Sequence, residues 1–127
     1  MKDKALSDRR IFILEDDYYQ AQDCRQILEG AGAIVIAISA TVPELAGLLA
    51  KGPVDAALID INLGGGHSLD FARKLNEAGI PFAFLTGYDA SILPDDLMGC
   101  ACISKPADAS RLIEVLASLP ENRAMRC

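Results

Sequence analysis

Long apolar runs are missing from this chain. No stretch approaches the roughly 18 consecutive apolar residues of a bilayer-spanning helix, although 51% of the 127 residues are hydrophobic. The opening MKDKALSDRR carries charges where a secretion signal has its apolar centre. The reading is therefore a cytoplasmic chain with no membrane partner. Positive charge is also scarce: twelve Lys and Arg stand against eighteen Asp and Glu, for a formal charge of −6. Binding to nucleic acid wants clustered cations, so no nucleic-acid partner is expected. A thiol metal site lacks the partners it needs. Cys24 falls in a helical pattern, Cys127 ends the chain, and Cys100 and Cys102 share one side of an apolar run. No second Cys/His pair completes a zinc set, so these read as core or half-buried thiols. The single histidine, His67, reads as a loop or helix-start residue. Linkers, internal repeats and low-complexity tracts are absent too, which leaves one domain with enough apolar residues for its own core.

What the chain does have is alternation. RIFILE (10–15), AIVIAIS (33–39), VDAALID (54–60), PFAFLT (81–86) and CACIS (100–104) are apolar enough to be strands covered on both faces. Amphipathic segments lie between them. Residues 17–29 place Ala21, Cys24, Ile27 and Leu28 on one helical face. Thr41 and Glu44 have capping-box spacing ahead of Leu45, Leu48 and Leu49, and Gly52-Pro53 closes that helix. A third helix is expected over 69–78 with Gly79 as its stop, and a last one begins after Asp108. Between Gly87 and Met98, Pro94 interrupts the pattern, so any helix there is short or distorted. Five strands joined in this way predict a parallel α/β sheet with helices on both faces.

In such a sheet, ligands bind beyond the carboxyl ends of the strands. The first polar residues after the apolar runs are Glu15, Asp16 and Asp17; Asp60; Thr86; and Ser104 with Lys105. All converge on one edge. Three adjacent carboxylates repel one another, and their cost has to be offset. A hard divalent cation such as Mg²⁺, which takes carboxylate and phosphoryl oxygens, would do so together with Lys105. Asp60 is then a candidate nucleophile toward a phosphoryl group, with Thr86 and Lys105 as donors to its oxygens. A helix N-terminus that favours acids explains Asp17 well and Glu15 poorly. The glycines at 64–66 lack the Lys-Ser/Thr of a P-loop and read as a flexible turn.

ILEDD, LIDINL, FLTGYD and ISKP, in this order and spacing, resemble the receiver domain of two-component response regulators. The likeness covers about residues 9–120 and extends to an alphaproteobacterial subgroup with a Phe-x-Thr-Gly-Tyr signature, whose members are often single-domain receivers. It implies one receiver domain over 1–127 with a flavodoxin-like, doubly wound five-stranded sheet of order 2-1-3-4-5 and a short or irregular fourth helix. By resemblance Asp60 is the phosphoacceptor. Asp16 contacts Mg²⁺ directly, Glu15 through water, and Asn62 through its backbone carbonyl. Thr86 and Lys105 sense the phosphoryl group, and the Lys105–Pro106 bond is cis. The implied partners are a sensor histidine kinase or histidine phosphotransfer protein and a downstream protein.

The sequence departs from that pattern at Cys102, which stands where receivers carry an aromatic residue three before the lysine. In this reading Tyr88, two past Thr86, takes over the switch together with residues 87–98. Two alternatives are weighed against a phosphoacceptor. A Mg²⁺-dependent phosphohydrolase or Toprim-like enzyme wants a second acid two past Asp60, where this chain has Asn62, or on another strand. A non-phosphorylated docking module has no need of the complete acid, Thr and Lys set.

Overall fold

The computed structural model describes residues 5–61, 68–87, 93–97 and 99–119. The apolar runs form β1 (Arg10–Leu14), β2 (Ile34–Ser39), β3 (Ala56–Asp60), β4 (Phe82–Thr86) and β5 (Ala101–Ser104). All neighbours pair in parallel, in the order β2-β1-β3-β4-β5. This is the expected flavodoxin-like arrangement. The chain reverses its direction of travel across the sheet between β1 and β3, which makes the ends of those strands the topological switch point.

Among the described residues, α1 (Tyr18–Gly30), α2 (Leu45–Leu49) and α3 (Ser68–Glu77) connect successive strands, and α4 (Ala109–Ser118) follows β5. Successive strand residues point to opposite faces, and each face has its own core. Phe12, Leu14, Ala57, Ile59, Phe82 and Phe84 pack with Leu48 of α2 and Phe71, Ala72 and Leu75 of α3. Ile11, Ile13, Leu58, Ala83 and Leu85 pack with Cys24 and Leu28 of α1 and Leu112, Val115 and Leu116 of α4. β3 and β4 are buried along their whole length. Cys100 and Cys102 join the first core, and Cys24 the second. Burial pushes the Cys24 thiol up to about 11. Cys127 lies outside the described residues.

Two helix starts follow the sequence closely. Asp17 caps α1 by accepting from the N–H groups of Tyr19 and Gln20 at 2.9 and 3.1 Å. Asp108 caps α4 through the N–H of Arg111 at 3.1 Å. The expected capping box at α2 does not form. Glu44 itself occupies the cap position, and its side chain makes no capping bond. Pro43 explains this: it disfavours helical geometry at Val42, which works against a helix starting at Thr41. α2 is left with five residues. β2 is also less covered than its composition suggests. It lies at the sheet edge, all its residues are at least partly exposed, and Ile34 is 43% exposed.

Between β4 and β5 the described residues contain one 3₁₀ turn, Asp95–Leu97, directly after Pro94. This agrees with the short or irregular fourth helix. Leu93 and Leu97 anchor it in the first core. The Arg73 guanidinium on α3 grips Asp96 at 2.8 and 3.2 Å from the outside. No helix among the described residues is long and apolar enough to cross a membrane.

Candidate functional site

Glu15 prolongs β1 by one residue, its N–H donating to the Ser39 carbonyl at 3.0 Å. Its side chain is fully buried, and Oε2 accepts the N–H of Asp17 at 3.0 Å. Oε1 is buried and faces the Lys105 ammonium as an ion pair. Burial lifts the Glu15 carboxyl from 4.5 to about 6; nearby Asp60 adds to the rise, while the Asp17 N–H and Lys105 oppose it. Asp16 follows as an exposed turn residue. Asp60 is the last residue of β3, buried and in register with Leu85 of β4. One oxygen from each of Glu15, Asp16 and Asp60 can be chosen so that all three lie within 4.8 Å of one another.

Lys105 reaches this cluster from beyond β5. Its backbone N–H donates to the Thr86 carbonyl at 2.8 Å. Its Nζ stands 3.2 Å from Glu15 Oε1 and 3.2 Å from Asp60 Oδ2. Burial works against the charge on Lys105, but the two carboxylates, Asp60 foremost, outweigh it and raise its pKa. Thr86 ends β4, buried and in register with Ser104. The Lys105–Pro106 peptide is cis.

The fold thus gathers Glu15, Asp16, Asp60 and Lys105 at one point and sets Thr86 on the adjoining strand. Asp17 is engaged in the α1 cap. Cys102 is half-buried, in register with Phe84. Asn62 and Tyr88, like His67 and the glycines at 64–66, lie outside the described residues. One residue escaped the sequence reading. Ser68, the first residue of α3, is fully buried and donates its hydroxyl to the Ile61 carbonyl at 3.2 Å. A serine that opens a helix looks like an ordinary cap, and only the fold reveals that it is buried and turned toward the strand.

The donor set fits a hard divalent cation. It offers three carboxylates against, among the described residues, a single ammonium, which leaves the local charge negative.

Residues 11–117 match the family described as response regulator receiver domain. No curated protein matches by sequence. Among solved structures, the chain superposes on the response regulator PhyR from Brucella abortus with a TM-score of 0.73 at 25% identity, over 89% of this chain and 48% of that one. It thus spans about half the length of that PhyR. SdrG from Sphingomonas melonis Fr1 is 29% identical with a TM-score of 0.72, and the match covers 92% of this chain and 97% of SdrG. The PhyR receiver domain from Erythrobacter litoralis, 21% identical, shares the fold with a TM-score of 0.75 over 87% of this chain and 88% of its own.

Proposed function

The chain belongs to the response regulator receiver domain family, and from that premise we propose that it is a phosphoacceptor that takes a phosphoryl group onto Asp60. A sensor histidine kinase or a histidine phosphotransfer protein is the donor, in the cytoplasm. Residues 1–127 act as a single receiver domain. The observation that carries this reading is the lysine ammonium 3.2 Å from both a buried glutamate and the buried Asp60 at the topological switch point.

In the transfer, an Asp60 carboxylate oxygen forms the new P–O bond. The P–N bond of the donor phosphohistidine breaks, and its electron pair returns to the imidazole. Mg²⁺ held by Glu15, Asp16 and Asp60, with the Asn62 carbonyl as a further ligand, supplies neutralising charge when bound. Lys105, already beside Asp60, donates to one phosphoryl oxygen, and the Thr86 hydroxyl donates to another. Hydrolysis of the acyl phosphate by water restores the carboxylate. Like all receivers, this is a signalling domain rather than a metabolic enzyme. Its output passes through a protein partner or through phosphorelay. Thr86, Tyr88 and Cys102 form the switch, with Tyr88 in place of the missing aromatic.

Incubation with acetyl phosphate and Mg²⁺, followed by intact mass, tests the proposal. The wild type is expected to gain one phosphoryl group and Asp60→Asn none. Uptake by Asp60→Asn, or steady turnover of phosphoesters without a phosphorylated protein, would overturn it.

A further inference from the structure

Ser68 has no part in the sequence reading, yet it is one of four buried polar or charged residues described, alongside Glu15, Asp60 and Thr86. The chain leaves β3 at Ile61 and enters α3 at Ser68. There the Ser68 hydroxyl reaches back across seven residues to the Ile61 carbonyl at 3.2 Å. The N–H of the same Ile61 donates to the Leu85 carbonyl of β4 at 3.0 Å. Ile61 is therefore tied on both sides, through its N–H to β4 and through its carbonyl to α3. Its N–H belongs to the peptide that carries the Asp60 carbonyl, so these ties also restrain the backbone of Asp60.

We propose that Ser68 is a positioning residue for Asp60. Its hydroxyl locks the residue after the phosphoacceptor, so that the carboxylate meets cation and phosphoryl donor from a fixed backbone. The inference rests on the phosphoacceptor reading and adds to it the device that aims Asp60. The hydroxyl has no direct contact with the reacting atoms. It acts through Ile61, as groups behind a metal ligand orient that ligand through a hydrogen bond. Buried polar groups need partners, and removing this donor leaves the Ile61 carbonyl short of one in the place where displacement most disturbs the site.

The test compares Ser68→Ala, Ser68→Thr and Ser68→Val in the full chain. Mg²⁺ alone is titrated first; phosphoryl uptake from acetyl phosphate and urea unfolding of the ion-free protein are then measured. Ser68→Ala is expected to bind Mg²⁺ about tenfold more weakly and to slow uptake to a similar degree. Threonine and valine have the same shape and differ in the hydroxyl, so their ratio isolates the hydrogen bond even where added bulk strains the site or Ser68→Ala fails to fold. Ser68→Thr is expected to bind Mg²⁺ several-fold more tightly than Ser68→Val. Wild-type Mg²⁺ affinity in Ser68→Ala, or equal affinities in the Thr and Val variants, overturns the proposal. A drop in urea resistance with unchanged Mg²⁺ affinity also overturns it, since the hydroxyl then serves stability alone. A wild type that binds Mg²⁺ but never becomes phosphorylated defeats the phosphoacceptor reading, whereas normal Mg²⁺ binding by Ser68→Ala beside a phosphorylated wild type defeats only the role of Ser68.

Discussion

Lys105 Nζ and Glu15 Oε1 lie 3.2 Å apart, the lysine side chain 17% exposed and the glutamate wholly buried. The same ammonium is 3.2 Å from Asp60 Oδ2. One cation is shared between two buried acids, with Asp16 a third acid within reach of both. Among the described residues the site is short of positive charge, and its response to protons, to loss of the lysine and to added metal follows from that shortage.

Glu15 makes stability depend on pH. Its folded pKa of about 6 lies above its ordinary 4.5. The folded state therefore holds the proton more tightly than the unfolded state, and the resulting stability is full below 4.5 and lost as pH rises through about 6. The loss is about 2 kcal/mol. Urea titrations of the ion-free protein between pH 4 and 7.5 should show it, and Glu15→Gln should remove that part of the slope. An identical slope in the variant would assign the pH dependence elsewhere.

Lys105→Met should destabilise the ion-free protein at pH 7.5, because two buried carboxylates lose their shared cation. Removing one partner of a fully buried pair costs about 3–5 kcal/mol; partial exposure of Lys105 brings the expectation to about 2 kcal/mol. The penalty should shrink near pH 5, where Glu15 takes up a proton. The difference in urea midpoint between wild type and variant at the two pH values reads this directly.

Added Mg²⁺ should stabilise the folded chain. At about 100 times its Kd, a ligand that binds only the folded state contributes about 2.7 kcal/mol. Asp16→Asn, which removes an exposed carboxylate without disturbing the core, should lose most of that gain at the same concentration. Equal Mg²⁺ stabilisation of wild type and variant, in parallel urea titrations, would remove Asp16 from the ligand set.

Helix capping offers a contrast. Asp17 accepts two N–H groups at the start of α1, whereas Glu44 makes no capping bond at α2. Asp17→Ala should lower stability by about 1 kcal/mol. Glu44→Ala should stay within about 0.5 kcal/mol of wild type. Paired urea midpoints decide this.

Much of the architecture was legible because it rests on local pattern. Two-sided apolar strands mark a parallel sheet, and the first polar residues after them mark its functional edge, so the sequence alone puts Glu15, Asp16, Asp60, Thr86 and Lys105 at one edge. Asp17 and Asp108 announced their helices for the same local reason. Three features escape the sequence reading, two of them because they depend on the whole fold. The half-covered state of β2 follows from its place at the edge of the sheet. The failed box at Thr41 and Glu44 follows from Pro43, whose steric effect overrode favourable spacing. The buried bond from Ser68 to Ile61 joins two elements whose approach no spacing rule gives.

The exposed margin formed by β2 has a consequence beyond signalling. Ile34–Ser39 reads IVIAIS, six residues at the sheet edge with neither charge nor proline of their own. Once heat loosens the sheet, such a segment is the expected place for separate molecules to pair as cross-β ribbons. Thermal denaturation of this molecule is then expected to depend on heating rate and protein concentration, which repeat scans at several concentrations would read.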